Sequence, residues 1–336
     1  MPTPGMTRRS SAASASYDLY GSLVRSEIDL GFSAVHDDDS RPVDVRLLVG
    51  VCREVPEAVP AGNVVAERFD GPGQRFYTAA ESEGGYCFRF HRCFDFWVSG
   101  GRSLVHVDWD PSVDLPLAAV YFSGTVMAFL LGLAGRLTLH ASAVAPVPVP
   151  SVGRSVIAIL GDSGAGKTTL AALCAAAGAA FVTDDLLLVD LGGPEPIVVG
   201  AANELRLRPE AGWVLEQFPV APRVRRTPDG RLAIQPSPDH GDAGAGRLRA
   251  LLVPVLARDE ETVELTRVSP VDALFLLARA PRLAGWTDET VLSRQFDAMA
   301  NLAARVPCFT AKIPWAPQTR RRVGETLLRL VGEATR

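Results

Sequence analysis

A glycine-rich segment between an apolar run and an alanine-rich stretch constrains this chain more than any other feature. Residues 161–168, GDSGAGKT, match the pattern G-x-x-x-x-G-K-[ST]. The buried-strand pattern SVIAIL precedes the segment, and helix-forming residues follow it from Lys167 to about Ala177. A strand, a phosphate-binding loop and a helix in this order predict an α/β domain built around a P-loop.

The residue types of the loop suit a nucleotide. Glycines let the backbone curl so that successive N–H groups face a phosphate, and the helix N-terminus adds partial positive charge. Lys167 would reach the β- and γ-phosphates, and the Thr168 hydroxyl would ligate Mg²⁺. We therefore predict ATP and Mg²⁺ as cofactors. The predicted nucleotide-binding residues are Gly161, Asp162, Ser163, Gly164, Ala165, Gly166, Lys167, Thr168 and Thr169.

Two adjacent acids, Asp184 and Asp185, end the strand predicted over AAFVT. In a parallel sheet that strand end lies at the same edge as the P-loop, so we expect both carboxylates near the γ-phosphate. One carboxylate can hold Mg²⁺ while the other accepts a proton from an attacking hydroxyl. Adjacent acids repel each other, so we expect compensation by the metal or Lys167, and a raised pKa for one acid. The alternative is an Asp pair that forms a turn or caps a helix.

Three segments together resemble the catalytic domain of the HPr kinase/phosphorylase family. They are LHASAV at 139–144, GDSGAGKTTLA at 161–171, and G-x-x-x-V-x-DD ending at Asp185. The family consists of P-loop kinases that are distantly similar to phosphoenolpyruvate carboxykinases. The resemblance is good from about Arg136 to Asp190 and thinner through the rest of the C-terminal half.

The resemblance implies catalytic roles residue by residue. His140 matches the family's histidine on the strand before the P-loop, near the transferred phosphate. Asp184 matches the general base, and Asp185 matches the acid beside it on the metal side, although the two roles could be exchanged. Lys167 completes the expected catalytic set. For His140, a histidine hydrogen-bonded in the core is the alternative.

The resemblance also implies metal and acceptor contacts in NELRLRP. Glu204 and Arg206 match a Glu-Ile-Arg signature in which the glutamate helps to hold Mg²⁺. The expected metal ligands are thus Thr168, Asp185 and Glu204, and Arg206 is expected at the phosphate or acceptor. An ordinary amphipathic strand is the alternative.

The chain departs from the family in three places. The Pro-rich stretch APVPVPSVG lengthens the connection after His140, and no Gly-Arg-Asn loop follows residue 235. The N-terminal region also differs from that of the bifunctional regulators. The arrangement is more similar to HPr-kinase-like proteins of actinobacterial type found beside peptide-modification genes, in which a peptide hydroxyl is the expected acceptor.

The N-terminal part predicts a separate, smaller β-rich domain, mainly antiparallel and of the α+β class. Residues 1–16 hold two arginines and small residues without an apolar stretch, so we expect a disordered tail. Residues 17–134 show period-two strand patterns at 43–51, 86–98 and 103–109. Phe88, Phe90, Phe94, Phe96 and Trp97 favour core packing over a ligand site.

An uncharged segment of 21 residues, Leu115–Gly135, is long enough to cross a bilayer. Pro116, Ser123, Gly124 and Thr125 dilute its hydrophobicity, and a phosphate-loop strand follows soon after it. We therefore predict a buried helix at the end of the N-terminal domain and no membrane partner.

Residues 135–336 are predicted to form the P-loop kinase domain. Strand patterns at RALLVPVLA and VELTRV are followed by helical stretches at 270–280, 288–305 and 318–333. The segment 235–248 is rich in Gly, Pro and Asp, which predicts a mobile loop.

Charge and cysteine content exclude several classes of protein. A net charge of -4 gives no bulk attraction to nucleic acid. The five cysteines are scattered without CxxC or zinc spacing, so we expect reduced thiols and a cytoplasmic location.

The pattern as a whole favours an HPr-kinase-like enzyme that phosphorylates a hydroxyl, with serine of a peptide or protein as the expected acceptor. A small-molecule kinase is an alternative, with Arg223, Arg225 and Arg226 as an arginine-rich lid. A nucleotide-gated peptide-binding module with little catalysis is another. An ABC-type ATPase is disfavoured because no acidic strand follows LSRQ. Similar kinases often assemble into rings, so a homo-oligomer is a candidate state.

Overall fold

The computed structural model describes residues 14–35, 40–146, 154–200, 204–235, 245–257, 260–316 and 319–335. The strands are β1 (Ala15–Leu19), β2 (Ser22–Ser26), β3 (Val45–Cys52), β4 (Asn63–Phe69), β5 (Arg75–Ser82), β6 (Gly85–Phe90), β7 (Phe94–Ser99), β8 (Leu104–Trp109), β9 (Leu137–Leu139), β10 (Ser142–Ala145), β11 (Ser155–Ile159), β12 (Ala180–Thr183), β13 (Leu187–Asp190), β14 (Ile197–Val199), β15 (Leu205–Leu207), β16 (Arg223–Arg226), β17 (Leu232–Gln235), β18 (Gly246–Ala257), β19 (Glu264–Val268) and β20 (Cys308–Pro314). The α-helices are α1 (Leu117–Tyr121), α2 (Met127–Leu133), α3 (Lys167–Ala176), α4 (Pro270–Ala278), α5 (Glu289–Arg305) and α6 (Val323–Ala334).

The N-terminal strands form one sheet in the order β1-β2-β3-β8-β7-β6-β5-β4. The β2–β3 and β3–β8 pairs are parallel and the other pairs are antiparallel. The sheet is thus mainly antiparallel, as predicted. Core packing is confirmed for Phe88, Phe90, Phe94 and Phe96, each at most 1% exposed. Trp97 is half-buried and stacks on His106.

The apolar segment packs under this sheet, but it is not one regular helix. A π-helical turn, Phe122–Val126, separates α1 from α2. All five residues of the turn are buried. Single π-turns inside helices occur frequently at functional sites. No helix in the described part of the chain has the length and hydropathy to cross a membrane.

A second sheet carries the P-loop between two helical layers. Its main path is β12-β10-β11-β18-β14-β13-β9, with β20 beside β18 and β19 beside β20. Side chains of α3 and α6 pack with Ile157, Ile159 and Leu252 on one face. Those of α4 and α5 pack with Val156, Ala158 and Leu251 on the other. This mixed α/β layering agrees with the predicted class.

Strand direction brings the two predicted motifs to one edge of this sheet. Both β11 and β12 are antiparallel to β10, so they run in the same direction with β10 between them. The P-loop follows the carboxyl end of β11, and Asp184 follows the carboxyl end of β12. The motifs therefore lie at the same edge, although their strands are not direct neighbours.

Several element predictions need correction. The resemblance placed His140 on a strand, but His140 lies in the connection between β9 and β10. The stretch 86–98 is a hairpin of β6 and β7, and β20 was not predicted. Strand β1 begins at Ala15, inside the predicted tail, while residues 1–13 lie outside the described residues. The centre of the predicted mobile loop, 236–244, also lies outside them.

Main-chain hydrogen bonds cross the boundary predicted at residues 134 and 135. Glu67 N–H donates to Gly285 O at 2.8 Å, and Thr287 N–H donates to Val65 O at 2.9 Å. A side chain at Gly285 would meet Glu67 O at 1.8 Å, so only glycine permits this approach. Backbone contacts thus tie the edge strand β4 to the connection between α4 and α5.

Candidate active site

The P-loop adopts a conformation that requires its glycines. Gly161, Gly164 and Gly166 have φ angles of 139°, 85° and 85°, a region that glycine enters readily. Gly166 is the N-cap of α3, which begins at Lys167. Ser163 and Asp162 are exposed, Ala165 is half-buried, and Thr168 and Thr169 lie in the first helical turn. The nine predicted nucleotide-binding residues are therefore contiguous around one helix N-terminus.

Lys167 is held inside this loop. Its Nζ donates to Gly161 O at 2.8 Å and to Asp162 O at 3.0 Å, and the residue is only 6% exposed. Burial lowers the pKa of Lys167, although the nearby aspartates partly offset this effect. Asp184 is the largest of the offsetting charges, so the cation and the acid pair share one electrostatic environment.

Asp184 is bound by neutral donors from three elements. Its Oδ1 accepts from Ser142 Oγ at 2.6 Å and from Thr168 Oγ1 at 2.9 Å. Its Oδ2 accepts from the main-chain N–H of Arg206 at 3.1 Å. The carboxylate is buried, with both oxygens engaged. The hydroxyl predicted to ligate Mg²⁺ therefore lies beside Asp184, whereas the family resemblance had suggested Asp185.

Asp185 has different partners and an unusual backbone. Its φ is 75°, which is uncommon for a non-glycine residue and occurs often at functional sites. Arg282 Nη2 lies 2.7 Å from Asp185 Oδ2, and His140 Nδ1 lies 3.1 Å from Asp185 Oδ1. Burial raises the pKa of Asp185, but Arg282 and His140 outweigh burial and hold the pKa well below its usual range. Asp185 is therefore not an acid with a raised pKa.

His140 is fixed from two sides. Its main-chain N–H donates to Ala280 O at 2.7 Å, and its Nδ1 also lies 3.1 Å from the main-chain O of Asp185. The side chain is about one third exposed. Its contacts are thus with the acid pair, which disfavours the alternative of a histidine satisfied in the core.

Glu204 is neutralised by an arginine. Arg225 Nε lies 2.9 Å from Glu204 Oε1, and Arg225 Nη2 lies 2.5 Å from Glu204 Oε2. The ion pair occupies both carboxylate oxygens, so Glu204 is not presented as a free metal ligand. Arg225, which was considered as part of an arginine lid, is likewise engaged. Arg206 contributes its main chain to Asp184 and its side chain to the cavity described next.

A small cavity joins these residues to the N-terminal sheet. Asp184, Asp185 and Glu204 line it together with Arg206 and Arg225. The remaining lining residues are Tyr20, Leu30, Gly31, Phe32, Ser123 and Gly124. The cavity has a volume of about 20 Å³, room for about one water molecule. The turn between β1 and β2 and the π-helical turn therefore both contribute to the candidate site.

Sequence reasoning missed four of the residues that shape the site: Tyr20, Gly124, Arg279 and Arg282. Burial raises the pKa of the Tyr20 hydroxyl, which lies near both aspartates. Arg279 Nη2 is 2.6 Å from Asp162 Oδ2 of the P-loop. The spacing of two arginines in the sequence RAPR was the one available hint of a cationic segment.

The site fits a magnesium ion through a smaller ligand set than predicted. Asp185 and Glu204 are each paired with an arginine, and no three His, Cys, Asp or Glu residues of the described chain form a metal-binding group. Mg²⁺ bound with a nucleotide, however, needs only one or two protein oxygens, because phosphates and water supply the rest. The adjacent oxygens of Thr168 and Asp184 provide such a pair.

The fold and site define a mixed α/β protein with a glycine-rich loop between a strand and a helix, and an acid pair beside that loop. No family model matches the chain, and neither does any curated protein. Among solved structures, it is similar to the HPr(Ser) kinase/phosphatase from Coxiella burnetii, with 13% identity over 59% of this chain and 91% of that chain. The TM-score is 0.32. A similarity at this level does not by itself establish fold or function.

Proposed function

We propose that this protein is an ATP- and Mg²⁺-dependent phosphotransferase that moves the γ-phosphate to a hydroxyl of a peptide or protein, with serine as the expected acceptor. The observation that carries the proposal is the division of neighbours between the two aspartates. Asp184 contacts the P-loop hydroxyl of Thr168, and Asp185 contacts His140 and Arg282. Asp184 is therefore placed to act on the nucleotide side of the site, and Asp185 is left for the acceptor.

Thr168 and Asp184 would hold Mg²⁺, which would neutralise charge on the β- and γ-phosphates. The P-loop N–H groups and the N-terminus of α3 would bind the phosphates. Lys167 is already confined to the loop interior, where its ammonium is close to where the γ-phosphate would lie. Its desolvation makes the interaction with phosphate stronger than it would be in water.

Asp185 would accept the proton of the attacking hydroxyl. Its depressed pKa keeps it ionised at neutral pH, and it is more exposed than Asp184. The acceptor oxygen forms a bond to the γ-phosphorus while the bond from phosphorus to the β–γ bridging oxygen breaks and ADP leaves. Phosphoryl transfer relies on positioning and electrostatics more than on strong bases, so a weakly basic carboxylate suffices.

The choice of a peptide or protein acceptor rests on the motif resemblance in the sequence. The small cavity beside Asp185 admits about one water molecule, so a polymeric acceptor would present its hydroxyl from outside. We also propose a cytoplasmic location, in keeping with the five free cysteines.

The test is transfer of label from γ-labelled ATP to a host lysate split by size, with and without Mg²⁺. The chain contains two lysines, so Lys167→Ala has a matched control in Lys312→Ala, whose side chain is 52% exposed on β20. We expect Mg²⁺-dependent label in the large fraction, lost with Lys167→Ala and retained with Lys312→Ala. Label in the small fraction would instead indicate a metabolite kinase. ATP binding without transfer would indicate a nucleotide-gated binding module.

A further inference from the structure

A second cavity lies at the opposite edge of the nine-stranded sheet from the P-loop. Its volume is about 310 Å³. The P-loop follows the carboxyl end of β11, whereas Arg247 in this cavity wall pairs with Ser155 at the amino end of β11. Strand β18 begins at the cavity and continues toward the P-loop, where Leu256 approaches Gly166. The cavity is therefore separate from the candidate active site.

The walls of this cavity are rigid and positively charged. Three arginines line it, Arg247, Arg249 and Arg305, against one acid, Glu195. The remaining lining residues are Pro194, Pro196, Leu248, Pro307 and Thr335. Proline fixes the backbone φ angle, so three of these residues restrict wall movement. The excess of guanidinium groups favours an anionic occupant.

Arg305 positions the turn that forms one wall. Its Nη1 donates to Leu191 O at 3.2 Å and its Nη2 donates to Gly193 O at 2.6 Å. These two bonds hold the connection between β13 and β14, which carries Glu195. Arg305 therefore stabilises the wall of the cavity. The N–H donors that remain for a ligand belong to Arg247 and Arg249.

Arg247 and Arg249 both line the cavity from β18, and Arg249 lies at a register shift where it has no paired residue on β11. Arg249 uses Nη2 to donate to Thr335 O at 2.8 Å. Arg247 pairs with Glu195 through Nη2, and its buried Nε has no hydrogen-bond partner among the described residues. The ion pair with Glu195 therefore does not satisfy every donor of the Arg247 guanidinium.

We propose that this cavity binds a small molecule bearing a phosphate group, with Arg247 and Arg249 as its anion contacts. The planar guanidinium fork matches phosphate oxygens, and a cavity of this volume is at the lower end of small-molecule sites. Glu195 would compete with the ligand, because the phosphate must displace the Glu195 carboxylate from Arg247.

The test is calorimetric titration with inorganic pyrophosphate in the absence of Mg²⁺, on full-length protein carrying Lys167→Ala to weaken anion binding at the P-loop. We expect saturable binding that Arg247→Gln weakens by about tenfold, the loss of a hydrogen bond to a charged group. Glu195→Gln should tighten binding by about two- to fivefold, because the ligand no longer has to displace Glu195 from its partly exposed ion pair with Arg247. Arg223→Gln, which removes an exposed arginine from β16, should leave affinity unchanged.

Arg247→Gln and Glu195→Gln should change the affinity for pyrophosphate in opposite directions. If the ion pair only stabilised the structure, both variants would bind more weakly. Residual binding at the P-loop would respond to neither substitution. The proposal is overturned if the Lys167→Ala protein shows no saturable binding, or if Arg247→Gln and Glu195→Gln leave the affinity unchanged. The readout does not require phosphotransfer, so it is independent of the proposed enzymatic function.

Discussion

Among the described residues, each large sheet carries a cluster of charged side chains, and the cluster in the P-loop sheet has the features of a site. In the N-terminal sheet, Arg53, Arg89, Asp95 and Asp108 form a cluster that we call the ion-pair network. In the P-loop sheet, the acid pair Asp184 and Asp185 lies with Lys167, His140 and Arg282.

The ion-pair network is closed. Arg89 bonds both oxygens of Asp95, through Nε at 2.7 Å and Nη2 at 2.8 Å. Arg53 bridges Asp95 at 2.6 Å and Asp108 at 3.0 Å. Arg89, Asp95 and Asp108 are directly paired across β6, β7 and β8, with charges balanced within the network. No side chain of this network lines either of the two cavities described above.

The acid pair differs in position and backbone. It follows the carboxyl end of a strand, beside a glycine-rich loop, and lines a cavity shared with the N-terminal sheet. Asp185 has a positive φ, and the π-helical turn packs against it. Burial of charge alone therefore does not identify a site. The convergence of charged side chains at a strand end, beside a cavity and a residue with positive φ, indicates a functional site more specifically than burial does.

The largest effect is expected from Asp185→Asn in the acid pair. Asparagine keeps the shape of the side chain but cannot accept a proton, so transfer should fall by about 10² to 10⁴-fold. ATP binding should be retained, because Thr168 and Asp184 are untouched. Single-turnover transfer of labelled phosphate measures the effect, with Asp190→Asn, an exposed acid at the end of β13, as control. Full transfer by Asp185→Asn would remove the proposed base and direct attention to Asp184.

The counterpart in the ion-pair network is Asp95→Ala, which should reduce stability and leave chemistry intact. Asp95 is 0% exposed and Arg89 is 7% exposed, so the substitution leaves a buried guanidinium unpaired. We expect the free energy of unfolding in urea to fall by about 3–5 kcal/mol. Asp297→Ala removes an exposed carboxylate from α5 and should change it by less than about 0.5 kcal/mol. A stable Asp95→Ala protein that has lost transfer would contradict the distinction between the clusters.

A smaller effect is expected from Gly124→Ala in the π-helical turn. A Cβ there would lie 2.4 Å from Arg282 Nη2 and 3.0 Å from Asp185 Oδ2, so the ion pair must move. Gly132→Ala is a matched control in the same segment. Its Cβ would lie 2.7 Å from Trp286, and its nearest neighbours do not include Arg282 or Asp185.

Both glycine variants should lose about 1–3 kcal/mol of stability through overpacking. Phosphoryl transfer should fall by about tenfold in Gly124→Ala alone. This corresponds to a cost of about 1.4 kcal/mol when Asp185 is displaced from its position. Measuring unfolding and transfer on the same samples separates the two effects. Equal transfer by the two variants would show that the π-helical turn only packs.

Motifs that are contiguous in sequence could be predicted, whereas contacts between residues distant in sequence could not. The strand, the glycine-rich loop, helix α3 and the acids after β12 follow from local patterns, and all are present. Arg282 and Tyr20 reach the site from distant parts of the chain, through contacts that no local pattern encodes. The sequence could not indicate which acid would have a raised pKa, because the arginine that lowers the pKa of Asp185 lies 97 positions away in sequence.

The smallest effect should appear in the acid dependence of stability. The pKa of Asp185 is depressed in the folded protein by Arg282 and His140, against burial. The stabilising contribution is therefore fully present above the unfolded pKa of about 3.9 and is lost as pH falls toward the folded value. Asp185→Asn should flatten the dependence of unfolding free energy on pH below about 4, whereas Asp190→Asn should not. Urea unfolding at pH values from about 5 to 2.5 measures both slopes. Parallel curves for wild type and Asp185→Asn would mean that the carboxylate gains nothing from Arg282 and His140, and the two clusters would then differ in position but not in electrostatics.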